Sequence, residues 1–90
     1  MYKVYILYSS TKNKYYIGYT GDEIGSRLLK HNSNHSGFTG KVGDWLLMCV
    51  ENYVEKELAI KREIEIKKWK SRKRVEQLIF NKKKIFSVGL

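Results

Sequence analysis

The chain has no proline, a single cysteine and no apolar run near the ~18–20 residues that a membrane-spanning helix requires. One cysteine excludes an intramolecular disulfide framework and a zinc site built from thiolates. Cys49 itself lies in an apolar run and reads as a small buried side chain. Without proline, only Gly, Asn and Ser mark where elements end. No signal-peptide pattern stands at the N-terminus, and the expectation is a cytoplasmic protein without a membrane partner. Ninety residues suffice for one domain with a modest core and are too few for two. A hydrophobic content of 42% separates the chain from disordered sequences.

Acidic residues are scarce where basic ones are dense. Of the formal net charge of +9, residues 67–84 carry nine basic side chains against Glu76 alone, a net of +8. The remainder holds nine basic and eight acidic residues, a net of +1. A nearly neutral body with a basic C-terminal segment suits a polyanion, with nucleic acid ahead of an acidic membrane surface or protein. Lys67, Lys68, Lys70, Arg72, Lys73 and Arg74 are the candidate nucleic-acid-binding residues. The plainer reading is a solvated, lysine-rich helix face.

Tyr2 to Tyr8 has apolar or aromatic side chains on both alternating faces, which suits a central strand. After the polar turn Ser9 to Lys14, Tyr15 to Tyr19 returns as a second strand, and the two predict a β-hairpin. Gly18 interrupts the second strand where something approaches the backbone closely. Thr20 and Glu23 fit a capping box, predicting a helix over Asp22 to His31. Residues 32–43 read as a loop, and Trp45 to Val50 as a third strand bounded by Asp44 and Glu51. Val54 to Trp69 has helical spacing with Glu57–Lys61 and Glu63–Lys67 pairs, and a shorter helix follows through Val75, Leu78, Ile79 and Phe80.

Three groups could carry chemistry. Arg27 and His31 stand four apart and share one helix face, where a guanidinium can bind phosphate and an imidazole can donate a hydrogen bond or pass a proton. A surface helix with a polar face explains the same pair. Glu63 has Ala59, Ile60 and Ile66 among its helical neighbours, and a buried carboxylate there calls for a cation such as magnesium. Alternatively it leans outward onto Lys67. Hairpin pairing could bring Tyr5 and Tyr16 to one face, but a phenol with an ordinary pKa of ~10 serves as a base only beside a cation. His35, in the loop, attracts no role.

Taken in order, Lys3-Val4-Tyr5, Tyr16-Ile17-Gly18, the set Arg27, Leu28, His31 and Asn32, and Ala59-Ile60-Lys61-Arg62-Glu63 resemble the motifs of the GIY-YIG nuclease superfamily, in particular its small stand-alone members. Ile66-Lys67-Lys68-Trp69 continues the likeness, which spans about residues 2–80. Lys3 replaces the glycine that opens the first motif, Ser26 stands where many members have a second basic residue, and Asn81 is a loose candidate for a further asparagine that some use. The resemblance implies an α+β fold, a three-stranded antiparallel sheet flanked by helices in the order β-β-α-β-α-α. It implies a nuclease domain over 1–82 with a tail over 83–90, and metal-dependent hydrolysis of a phosphodiester.

In that scheme Glu63 holds one Mg²⁺ or Mn²⁺, Tyr5 acts as base or positions the attacking water with Tyr16 beside it, Arg27 neutralises the phosphate and His31 assists. Gly18 is the motif's structural residue. The resulting expectation is an endonuclease acting on DNA, structure-selective in repair or recombination. The alternative is a basic nucleic-acid-binding module with weak or no catalysis. Substrate preference and oligomeric state stay open at this point.

Overall fold

The computed structural model of the chain describes residues 1–33 and 35–88, with side chains as far as residue 82. Three strands, β1 (Tyr2–Ser9), β2 (Lys14–Thr20) and β3 (Leu46–Tyr53), form one antiparallel sheet in the order β2-β1-β3. Helix α1 (Ile24–His31) lies between β2 and β3 in the chain, and α2 (Lys56–Lys68) and α3 (Arg72–Val88) follow. This is the α+β arrangement and element order expected from the sequence.

The apolar pattern of β1 places it centrally, and its side chains divide the interior in two. Val4 and Ile6 pack with Cys49, Ala59, Ile66 and Val75 on the face covered by α2 and α3. Tyr5 and Leu7 pack with Trp45 on the other face, against Ile24 and Leu28 of α1. All four β1 residues are buried. The period of two therefore sends Tyr5 to the α1 face and its neighbours to the α2 face.

Two polar anchors hold the hairpin end. The Asp44 carboxylate accepts hydrogen bonds from Ser9 Oγ at 2.6 Å, Thr11 N at 2.9 Å and Thr11 Oγ1 at 2.8 Å. Those donors hold its carboxyl far below the usual carboxylate range. Asn13, with φ of 53°, adopts the left-handed conformation that asparagine tolerates, and Arg72 of α3 grips its carbonyl at 2.9 Å and its Oδ1 at 2.8 Å.

Several sequence expectations are corrected. The capping box does not form: Thr20 is the last residue of β2, its Oγ1 accepts from Asp22 N at 3.0 Å, and Glu23 caps α1 without a side-chain bond. The helix therefore begins at Ile24. Strand β3 starts at Leu46 and runs past Glu51 to Tyr53, because Arg62 of α2 meets the Glu51 carboxylate at 2.9 and 3.2 Å and makes that charge tolerable in the sheet. Helix α3 is the longest of the three, not a short one. Among the described residues Glu63–Lys67 closes at 3.6 Å, while Glu57–Lys61 does not form an ion pair.

Candidate active site

Strand pairing sets Tyr5 opposite Gly18 and Leu7 opposite Tyr16. Tyr5 and Tyr16 are thus diagonal neighbours on one face, their ring centroids 6.3 Å apart. A Cβ at Gly18 would stand 2.7 Å from Tyr5 Oη and 2.9 Å from Tyr16 Cε2. The close approach expected at Gly18 is that of the Tyr5 phenol, which lies across it toward β2, an outer strand of the sheet.

Helix α1 follows β2 directly and covers the same face. Arg27 Nε donates to Tyr5 Oη at 3.3 Å, and His31 Nε2 is 2.7 Å from that oxygen. His31 is 6% exposed, its ring centroid 4.7 Å from that of Tyr16 and its Nδ1 2.8 Å from Thr39 Oγ1. Phe38 stacks on Tyr16 at 6.1 Å. Tyr16, Arg27, Lys30, His31 and Phe38 border a cleft of about 450 Å³. Lys3, in the position of the missing motif glycine, donates from Nζ to the Asp22 carbonyl at 3.3 Å and ties β1 to the turn that leads into α1.

Burial raises the Tyr5 phenol above its ordinary pKa of 10.0, and the hydrogen bond from Arg27 offsets only part of that. A cation is present, as a phenolic base would require, but desolvation outweighs it, so Tyr5 keeps its proton at neutral pH. Burial, with Arg27 and His35 adding repulsion, pushes His31 down to about 4. It is a neutral imidazole at neutral pH, suited to hydrogen bonding and not to donating a proton as a cation.

Glu63 is the fifth expected residue, and among the described residues no hydrogen bond or ion pair joins it to the other four. It lies on α2, which packs against β1 and β2 on the opposite face from Tyr5. Its side chain is 15% exposed and pairs with Lys67 at 3.6 Å. Through Lys67, which borders a groove with Lys14 and Tyr15 of β2, Glu63 neighbours the strand across which the Tyr5 phenol lies. Its charge acts on that phenol, helping to raise the pKa.

As a cation site this region offers one carboxylate. Among the described residues no group of three or more His, Cys, Asp or Glu comes together. An ion held by Glu63 would complete its coordination with water and phosphate oxygens, which is how magnesium is commonly bound.

The basic residues fall on two sides of the α2–α3 corner. Lys67, Lys70 and Arg72 border a groove of about 330 Å³ with Lys14 and Tyr15 of β2, and this groove begins one helical turn from Glu63. Lys68 and Arg74 border a different groove with Lys61 and Trp69, where Arg74 lies 4.4 Å over the indole. Lys73 is exposed on α3, and Arg72 is engaged by Asn13 and Glu76. Asn81 accepts from Gln77 Nε2 at 3.1 Å on exposed α3.

Two site residues, His35 and Thr39, carried no recognisable sequence signal, and the motif residue Asn32 gave no hint of its partner. His35 and Thr39 meet at 3.1 Å in the 32–43 loop, and Thr39 bonds His31 eight positions earlier. A loop without periodicity gives no means of pairing such residues in advance. Asn32 exchanges two hydrogen bonds with the Trp45 backbone, at 3.1 and 2.8 Å, and so fixes the loop's far end to α1.

No curated protein and no solved structure matches the chain. A family model does: the GIY-YIG catalytic domain matches residues 1–77, in agreement with the sheet order. Nucleases of this kind use divalent metal ions and act on nucleic acid. With most of its length covered by that match, the chain belongs to the GIY-YIG family.

Proposed function

We propose that this protein is a divalent-metal-dependent endonuclease that hydrolyses DNA phosphodiester bonds in the cytoplasm, with branched structures of repair or recombination as its substrates. The unit responsible is residues 1–82, followed by a C-terminal tail over 83–90. The observation that carries this reading is the convergence of Arg27, His31 and Tyr16 on Tyr5 beside Gly18.

Glu63 is the residue to hold one Mg²⁺ or Mn²⁺. Such an ion supplies Lewis acidity to the scissile phosphate and stabilises the departing oxygen. Arg27 contributes positive charge to the phosphate in the transition state; only its Nε is engaged among the described residues, which leaves both terminal nitrogens for phosphate oxygens. The protonated Tyr5 hydroxyl orients the attacking water, with Tyr16 beside it. His31, neutral, holds the Tyr5 oxygen. Lys67 and Lys70, with Lys14, attract the strand leading away from the cleft, and Lys68, Arg72, Lys73 and Arg74 add a more diffuse field.

The test is incubation of branched, nicked and single-stranded DNA with Mg²⁺ or Mn²⁺, with and without chelator, for wild type and Glu63→Gln. Wild type should cleave a branched substrate only with metal, and Glu63→Gln should be slower by about 10²-fold or more. Equal activity in the two proteins removes the metal assignment. The basic segment favours one other reading, a binding module; salt-dependent binding to all substrates with no cleavage of any would establish it instead.

A further inference from the structure

The 32–43 loop contains a hydrogen-bond chain whose direction is fixed at the His35 end and carried on by the Thr39 hydroxyl. The backbone N–H of Gly37 can only donate, and it reaches His35 Nδ1 at 3.0 Å. That ring nitrogen must therefore present its lone pair, so a neutral His35 carries its hydrogen on Nε2. His35 Nε2 is 3.1 Å from Thr39 Oγ1 and donates to it. The Thr39 oxygen could accept a second time, from His31, but among the described residues its own hydrogen has a partner only when it is donated to His31 Nδ1, 2.8 Å away. His31, accepting at Nδ1, carries its hydrogen on Nε2, which faces Tyr5 Oη at 2.7 Å. The reverse direction would make both ring nitrogens of His35 acceptors, which no neutral imidazole allows.

The chain is enclosed and braced. Thr39 and His31 are both buried. The loop turns so tightly that a Cβ on Gly40 would collide with the His35 carbonyl oxygen, and Gly40 N donates to the Gly37 carbonyl at 3.0 Å. The Trp45 indole N–H donates to the Thr39 carbonyl at 2.8 Å and holds the loop onto the sheet.

We infer that His35 and Thr39 are positioning residues which fix His31 as its Nε2–H tautomer, so that the Tyr5 oxygen is held by two donors, His31 and Arg27. With both donors on the oxygen, the Tyr5 hydroxyl keeps its own hydrogen for a further acceptor, such as a water or a phosphate oxygen. The same two donors stabilise negative charge on that oxygen if the proton leaves. A threonine and a histidine outside the family motifs thereby set the hydrogen bonding of a residue inside them. The kinetic consequence rests on the nuclease reading; the tautomer does not.

The experiment is long-range proton–nitrogen NMR of the histidine side chains in the protein without nucleic acid, near neutral pH, combined with cleavage kinetics. His31 should appear as the Nε2–H tautomer in wild type. Thr39→Val, which keeps the shape and removes the hydroxyl, should shift His31 toward Nδ1–H, and Thr39→Ser should restore the wild-type spectrum. In cleavage, Thr39→Val should lower kcat about 10–100-fold with little change in KM, and Thr39→Ser should recover most of it. Finding His31 as the Nδ1–H tautomer in wild type overturns the inference, whatever the cleavage result. A Thr39→Val protein with unaltered His31 signals and unaltered kcat overturns it as well. Because the spectrum is read without substrate, it decides the inference even for a protein that cleaves nothing.

Discussion

At neutral pH His31 stands uncharged between Tyr5 and Thr39, and that choice of state carries a stability cost at lower pH. Its pKa falls from the ordinary 6.5 to about 4 on folding, chiefly through burial. Between those values the unfolded chain binds a proton that the folded chain excludes. The contribution is complete above about pH 6.5 and is lost as pH falls toward 4, amounting to at most about 3 kcal/mol. Denaturant midpoints measured across this window should therefore drop for wild type and vary less for His31→Gln. Parallel pH profiles for the two proteins would contradict the buried neutral histidine. The spacing of Arg27 and His31 was legible because a helix places i and i+4 on one face. The state of His31 was not, since it is covered by Tyr5 and Tyr16 from the sheet and by Thr39 from the loop. The protonation of Tyr5 was similarly hidden, because a cation beside it and burial around it act in opposite directions.

Among the elements, strands and helices were visible in periodicity, whereas their ends were set by partners distant in sequence. Thr20 looked like a cap yet is held in β2 opposite Lys3. Glu51 looked like the end of β3 yet lies within it because α2 brings Arg62 to it. Burial alone would raise the Glu51 carboxyl, but the hydrogen bonds from Arg62 and Tyr53 outweigh it and hold the pKa below the usual value. That bridge, with side chains 22% and 10% exposed, joins α2 to the sheet. Lys82 stands 3.7 Å from the same carboxylate but alone cannot replace the two-pronged contact. Arg62→Met should lower stability by about 1–3 kcal/mol, read from chemical denaturation, because it leaves a largely buried carboxylate short of donors. Lys68→Met, on an exposed lysine of the same helix, should change it by less than about 0.5 kcal/mol. Equal effects would mean that α2 is held by its apolar stripe alone.

In the whole molecule, the sheet divides the proposed machinery. The tyrosines, Arg27 and His31 occupy the α1 face, and Glu63 comes from the helix on the other face. The link between them is electrostatic: the Glu63 charge acts on the Tyr5 phenol, which lies against Gly18 of β2. Sequence order could supply these residues but not their sidedness, which follows from the alternation of β1 and the packing of α2. The basic segment is also divided: net charge predicted a polyanion surface, but not that Lys67 and Lys70 would share a groove with Lys14 next to Glu63 while Lys68 and Arg74 face elsewhere. Replacing Lys67 and Lys70 by Gln should reduce the salt dependence of DNA binding by about one to two counterions, and replacing Lys68 and Arg74 should reduce it less. The reverse ranking in a salt titration would place the strand on the Trp69 side of the corner.

The central claim is that Glu63 and the Tyr5 cluster form one catalytic site. It is tested most directly by single-turnover cleavage of a branched DNA with Mg²⁺, comparing wild type, Arg27→Ala and Glu63→Gln at protein concentrations where each is bound. Both variants should bind the DNA and both should cut it at least about 10²-fold more slowly than wild type. Wild-type cleavage rates in either variant, with binding intact, would contradict the account.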